Sequence, residues 1–261
     1  MIFTEKNVVV VGGCGGIGLA TCRELLKKNI RNLVMVDCVE SCDVLFDLQK
    51  EHPSTVISLV KMDISNKNEI KSVYNQIWER LKFIDILVNC AGVLCDDNPE
   101  LTINVNLLGV INSTLTMFNL MDKSQSGRGG LIVNIASVLG LDPFPSLPIY
   151  SASKHGVVGF TRSLGVRLFF FVFIKYLINQ HFLIVCPGYT NTPMMRGKPH
   201  YTFPYACEYS KTVKVTLQSP NECAQSIVEA IQLNKNGSVW ICECGELKEM
   251  NMKIYWDALK E

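Results

Sequence analysis

Apolar residues along the chain follow two periods that alternate from one end to the other. Short, mostly apolar runs, rich in valine and isoleucine, occupy residues 8–11, 32–36, 56–62, 84–88, 131–135, 183–186 and 238–242. Runs this short, without a polar partner at every second position, predict strands buried on both faces. Helical spacing intervenes. Residues 19–26 repeat through Leu19, Cys22, Leu25 and Leu26, and residues 67–81 through Ile70, Val73, Ile77 and Leu81. Longer helices are predicted over 101–121 and from Tyr150 onward. Strand and helix in alternation predict an α/β fold, a seven-stranded, mostly parallel, doubly wound sheet with helices on both faces.

Length and charge narrow the picture. The 261 residues contain no linker or low-complexity stretch, so residues 1–261 are read as one domain with a large core. A net charge of +1 without a basic run argues against nucleic acid as a partner. Met1 to Lys6 lacks the apolar core of a secretory leader, and no apolar run reaches a membrane span. The eleven cysteines are scattered. Neither Cys242-x-Cys244 nor Cys38-x-x-x-Cys42 has the second half of a zinc site, so no metal is expected and the set reads as free thiols in the cytoplasm.

The first strand runs directly into Gly12-Gly13-Cys14-Gly15-Gly16-Ile17-Gly18, and a helix follows. Strand, glycine loop and helix in that order make the phosphate-binding turn of a Rossmann-like domain, in which the helix N-terminus offers free N–H groups to a pyrophosphate. Two registers fit: Gly13-x-Gly15-x-x-Gly18 and Gly12-x-x-x-Gly16-x-Gly18. The second strand ends in Asp37, about 20 residues past the loop, where an acid accepts hydrogen bonds from ribose hydroxyls and repels a 2′-phosphate. NAD is the expected cofactor.

Candidate chemistry lies further on. Tyr150 and Lys154 are four apart, hence on one helix face, and follow Ser137 at the carboxyl end of the fifth strand. A tyrosine titrates near ~10, and a nearby cation favours its phenolate, so the pair suits removal of a proton from an alcohol.

With these residues in hand, the chain resembles the short-chain dehydrogenase/reductase family over nearly its whole length. Within it the chain is most similar to insect-type alcohol dehydrogenases and the 15-hydroxyprostaglandin dehydrogenase group. The resemblance rests on the Gly12–Gly18 loop, Asp37, Asp63-Ile64, Asn89-Cys90-Ala91-Gly92, Asn104-Val105-Asn106, Ser137, Tyr150 with Lys154, and Pro187-Gly188-Tyr189-Thr190-Asn191-Thr192. It implies a tetrad in which Tyr150 is the general base, Lys154 holds the nicotinamide ribose and lowers the tyrosine pKa, Ser137 binds the substrate oxygen and Asn106 fixes a relay water. It further implies that Gly12, Gly16, Ile17, Gly18 and Asp37 contact the cofactor, with Asp63 and Ile64 flanking the adenine. Asn89, Ala91 and Gly92 would line its floor, and Pro187, Gly188, Thr190 and Thr192 would place the carboxamide. A small-molecule alcohol or ketone as substrate, and a homodimer or homotetramer, follow from the same likeness.

Two segments call for separate expectations. Residues 193–217, with Met194, Met195, Tyr201, Phe203 and Tyr205, stand where the family keeps a substrate lid. Residues 166–182 depart from the family pattern, being apolar on every helical face. That run leaves two readings open: translated noncoding sequence, or a hydrophobic docking face. The intact tetrad favours an NAD-dependent dehydrogenase of secondary alcohols, and the atypical run keeps a non-catalytic nucleotide-binding or storage relative as the alternative.

Overall fold

A computed structural model describes residues 3–170, 180–196, 201 and 203–252. Its eight strands form one sheet in the order β3-β2-β1-β4-β5-β6-β7-β8. The strands are β1 (Asn7–Val11), β2 (Asn32–Asp37), β3 (Val56–Lys61), β4 (Ile86–Asn89), β5 (Gly130–Ile135), β6 (Gln180–Pro187), β7 (Val239–Glu243) and β8 (Glu246–Met250). The first seven run parallel, and only β8 pairs antiparallel with β7. Chain order reverses between β1 and β4, which opens the crevice at their carboxyl ends where ligands bind in doubly wound sheets.

The central apolar runs become strands because they are covered twice, whereas β3 lies at the sheet edge with Val56 exposed. Every residue of β1 and β4 is buried. On one face lie α1 (Gly16–Leu26) and α2 (Cys42–Glu51), with α9 (Pro220–Leu233) packed beside α1. The other face carries α3 (Lys67–Leu81), α5 (Val110–Met121) and α6 (Pro148–Phe170). The short α4 (Pro99–Ile103) leads into α5 through a π-helical turn, Asn104–Gly109. Together Pro99–Met121 is the one helix among the described residues long and apolar enough to cross a membrane, yet Val105, Val110, Met117 and Met121 are buried against the sheet.

The strand count corrects the seven expected. In β8, Glu246, Lys248 and Glu249 are exposed, as befits an edge strand guarded by charge. A two-residue turn at Cys244 and Gly245, with φ of 52° and 78°, creates it. Positive φ at both positions is the hairpin geometry that matches strand twist. The sixth strand also starts earlier than expected. Gln180, His181 and Phe182 pair with β5, and Phe182 is fully buried with its ring stacked on Phe118 at 6.1 Å. These three residues of the atypical 166–182 run therefore belong to the sheet. Residues 171–179 lie outside the described residues.

A buried polar chain crosses the molecule beneath the crevice. The Tyr74 and Ser113 hydroxyls are hydrogen-bonded, and Ser113 donates to Asn89 Oδ1 at 2.6 Å. Asn89 Nδ2 donates to Asn134 Oδ1 at 2.8 Å, and Asn134 Nδ2 to Thr161 Oγ1 at 2.9 Å. Satisfied throughout, this chain ties α3, α5 and α6 to the two central strands.

Candidate active site

The glycine loop closes the end of β1. No side chain caps α1 at Gly15, so its first-turn N–H groups are left for an external acceptor. Packing is tightest at the glycines of the second register, where a Cβ would stand 2.6 Å from its nearest neighbour at Gly12 and at Gly16 and 2.0 Å at Gly18, against 3.0 Å at Gly13 and 3.4 Å at Gly15. Gly12 makes the turn with φ of 79°, and Gly18 packs directly on it. Gly16 lies so near the 187–192 loop that a Cβ there would stand 2.6 Å from Thr192 Cγ2. Asp37 ends β2 beside the loop, its carboxylate accepting from Cys14 N at 2.9 Å and Val39 N at 3.1 Å.

Not every expected cofactor residue turns its side chain to this crevice. Asp63 is exposed and accepts from the backbone N–H and hydroxyl of Ser65. Ile64 is buried in the core under α3. The Asn89 side chain is fully buried in the polar chain just described, and it is the next residue, Cys90, that lines the cleft. Successive residues of a strand face opposite sides, which accounts for the exchange.

Ser137 follows β5, and its Oγ accepts from Leu139 N at 3.2 Å, which leaves the hydroxyl proton free to donate. The Tyr150 phenol and Ser137 line the same cavity, close enough for the serine hydroxyl to favour the phenolate. One turn on, Lys154 places Nζ 5.6 Å from the Tyr150 ring centroid and donates to Ile135 O at 3.1 Å. Tyr150, Ser137 and Lys154 thus meet at the carboxyl end of β5.

Burial dominates their electrostatics. It pushes the Tyr150 phenol up to about 12, against the Ser137 hydroxyl, which acts to lower it. Burial also pushes Lys154 down to about 8 from 10.5, while the Cys90 and Cys186 thiols act to raise it. The net shift of the phenol is upward in the protein itself, because withdrawing the phenolate from water costs more than its surroundings return.

Linkage gives this a measurable consequence. Below about pH 8 Lys154 is protonated in folded and unfolded chains alike, and the folded state carries the full cost of burying the charge. Between about 8 and 10.5 the folded state releases the proton first, so stability rises with pH across that window. Lys154→Met should stabilise the protein at pH 7, and its advantage should shrink by roughly 3 kcal/mol by pH ~10. Denaturant titrations at the two pH values check this, and an advantage independent of pH would contradict it.

Asn106 lies in the π-helical turn, a distortion frequent at functional sites. Its Oδ1 accepts from Val93 N at 2.8 Å, and its Nδ2 donates to Val93 O at 2.9 Å and to Ser153 Oγ at 3.3 Å. The side chain thus pins the loop after β4, and both amide hydrogens are engaged.

Two contacts had no signal in the sequence. Buried Gln218 donates to Thr190 Oγ1 at 3.1 Å and to Cys242 O at 2.9 Å, anchoring the 187–192 loop to β7. Buried Asp96 accepts the Tyr150 N–H at 2.6 Å.

Above the three polar residues opens a cavity of about 300 Å³. Leu94, Leu139, Phe144, Leu147, Tyr189 and Met195 supply much of its wall, and Lys154 is the one charged side chain among its described lining residues.

The model of the family described as short chain dehydrogenase matches residues 6–201. The chain belongs to that family. Alcohol dehydrogenase 1 of Ceratitis capitata is 40% identical over 263 residues, covering 98% of this chain and 99% of that protein. Equally extended is the likeness to the Development-specific 25 kDa protein of Sarcophaga peregrina, at 35% identity over 98% of this chain and 99% of the relative. The fold is that of a solved short chain dehydrogenase/reductase from Burkholderia phymatum in complex with NAD, with TM-score 0.76, 21% identity, and 93% and 90% of the two chains covered. The short-chain dehydrogenases are oxidoreductases, which agrees with a tyrosine, serine and lysine gathered at the strand ends.

Proposed function

We propose that this chain is an NAD-dependent dehydrogenase of uncharged, apolar secondary alcohols, with Tyr150 as its general base. The observation that carries the reading is the meeting of Tyr150, Ser137 and Lys154 at the floor of an apolar cavity. The crevice residues fit a dinucleotide. The α1 N-terminus is uncapped, and at Gly16 there is no room even for a Cβ. Gly12, Gly16, Ile17 and Gly18 would hold the pyrophosphate, and Asp37 the adenosine ribose, at a position that disfavours a 2′-phosphate. Asp63 would border the adenine, with Ile64 beneath it. Ala91 and Gly92 would form the floor, supported by Asn89. Lys154 would bind the second ribose, and Pro187, Gly188, Thr190 and Thr192 the carboxamide. Once bound, the nicotinamide supplies the hydride acceptor.

The protein's own groups handle the proton. Ser137 donates to the alcohol oxygen and holds it beside the phenol. Tyr150 takes the hydroxyl proton in oxidation and returns it in reduction, and the Lys154 ammonium favours the phenolate. Among the described lining residues only Lys154 is charged, and its place beside the phenol leaves the apolar wall to favour neutral substrates over carboxylates.

Residues 193–217 are read as the lid. The described parts, α7 (Pro193–Arg196) and α8 (Pro204–Thr212), border the cavity. Tyr209 of α8 packs its ring 5.7 Å from Phe144, and Ser146 donates to Ala206 O at 2.8 Å. For assembly, Leu101, Leu108 and Leu115 remain exposed at seven-residue intervals, which supports a homodimer.

Thermal melts with NAD and with NADP test the reading. A ligand at a hundredfold excess over its Kd stabilises by about 2.7 kcal/mol, a rise of roughly 5–10 °C at this size. NAD should give that rise and NADP much less, and neutral secondary alcohols should then reduce NAD while carboxylated ones do not. A cooperative melt unmoved by either nucleotide would favour the second reading, a non-catalytic relative. That reading draws support from the likeness to a protein named for its developmental expression.

A further inference from the structure

Helix α6 presents both Tyr150 and Lys154, yet its own sequence cannot finish its first turn. The first helical bond runs from Ser151 N to Leu147 O at 2.9 Å, so Leu147 stands where a capping side chain belongs, and leucine has no acceptor. Pro148 opens the helix without an N–H. The Tyr150 N–H finds its acceptor 54 positions away, in Asp96 Oδ1 at 2.6 Å. Asp96 is 0% exposed. A carboxylate buried this deeply is costly unless its oxygens are used, and a helix N-terminus is where an anion is most readily accommodated.

The loop that delivers Asp96 is itself held on two sides. Asn106 grips Val93 through both backbone groups, at 2.8 and 2.9 Å, and Thr102 Oγ1 donates to Cys95 O. The opposite end of the Tyr150 peptide is fixed as well, since Ser153 Oγ donates to Tyr150 O at 2.7 Å and accepts from Asn106 Nδ2. Both backbone groups of Tyr150 are thus tied to the framework after β4.

We propose that Asp96 is a positioning residue for Tyr150, its carboxylate anchoring the first turn of α6 so that the phenol is held beside Ser137. The inference rests on the reading of Tyr150 as general base. A tilt of the first turn is magnified at the phenol oxygen, the far end of the side chain, and displacements of about 1 Å at a reacting group cost on the order of a hundredfold in rate. The role belongs to the hydrogen-bond acceptor rather than to the charge, so an amide at this position should serve nearly as well.

The test compares Asp96→Ala and Asp96→Asn in kcat, in NAD affinity, and in titration of the Tyr150 phenol. The last is followed by phenolate absorbance as the difference between each protein and its Tyr150→Phe counterpart. Asp96→Ala should lower kcat by roughly ten- to a hundredfold while leaving the Kd for NAD within about twofold. Its phenol, less buried in a frayed turn, should titrate below the unsubstituted value, toward tyrosine's ordinary ~10. Asp96→Asn should restore kcat to within about threefold and return the titration. Equal loss of kcat and NAD affinity without rescue by Asp96→Asn would reduce Asp96 to a stability element and overturn the proposal, as would an unmoved titration in Asp96→Ala. Failure of the unsubstituted protein to oxidise any alcohol would instead overturn the general-base reading, and the titration, which needs no turnover, still decides whether Asp96 sets the phenol.

Discussion

Tyr150→Phe should abolish turnover and leave the NAD-induced rise in melting temperature intact. The substitution keeps the ring and its packing and removes one oxygen, so the fold loses about 1 kcal/mol at most, the worth of a typical hydrogen bond. The chemistry loses its proton acceptor, and positioned acid–base groups contribute roughly 10²–10⁴ in rate. Among the described residues, the nearest ionisable groups are poorly suited to replace it. Lys154 Nζ is 5.6 Å from the ring centroid and engaged with Ile135 O. The Cys90 and Cys186 thiols are each pushed up to about 12 by burial, so neither is a thiolate near neutrality. Stopped-flow or steady-state assays against the best alcohol found, run beside thermal melts with NAD, give both readouts. A variant that kept more than about a tenth of the activity would remove Tyr150 from the base role, since even the weaker such groups contribute about a hundredfold.

What the sequence revealed and what it hid divide along physical lines. Strands covered on both faces announce themselves, because most positions must be apolar, and β1, β4 and β5 were readable for that reason. The edge strand β8 was not. Its residues are mostly charged, and the turn that launches it uses Cys244 at positive φ, where asparagine or aspartate would have been the recognisable signal. For α9 a signal did exist: Ser219 and Glu222 form a reciprocal capping box around Pro220, although the apolar runs drew no attention to it. At the site, Tyr150 and Lys154 could be paired from their spacing alone. The direction of the phenol's shift could not, because it depends on how much water the fold removes. Asn89 was placed correctly in the chain but faces the helices rather than the crevice, a matter of one residue's alternation. Nothing local in Asp96-Asp97 betrays that the first of the two carboxylates is buried against a helix 54 residues on.

Gly18→Ala should remove nucleotide binding altogether and lower the melting temperature by several degrees. An added Cβ would stand 2.0 Å from Gly12 O and 2.9 Å from Gly12 C, backbone atoms that no rotamer change can move aside. Gly12 cannot yield cheaply. It holds a φ of 79°, its N–H is bonded to Val36 O at 2.7 Å, and its carbonyl accepts from Gly15 N at 3.1 Å. Relief must come from lifting the first turn of α1 away from β1, which moves the uncapped N–H groups out of the place where a pyrophosphate would meet them. Overpacking of this kind typically costs 1–3 kcal/mol, or about 3–10 °C in Tm for a chain of this size. Gly159→Ala is the matched control. Gly159 lies on α6 with nothing within 4 Å of its would-be Cβ, so alanine there should gain about 0.5–1 kcal/mol through helix propensity alone. The pair separates a general intolerance of added methyl groups from one confined to the loop. With NAD present, Gly159→Ala should show the full rise in melting temperature and Gly18→Ala none. A Gly18→Ala protein that still responded to NAD as the unsubstituted chain does would mean that the nucleotide is held without the α1 N-terminus, and the crevice at β1 and β4 would have to be given up as its site.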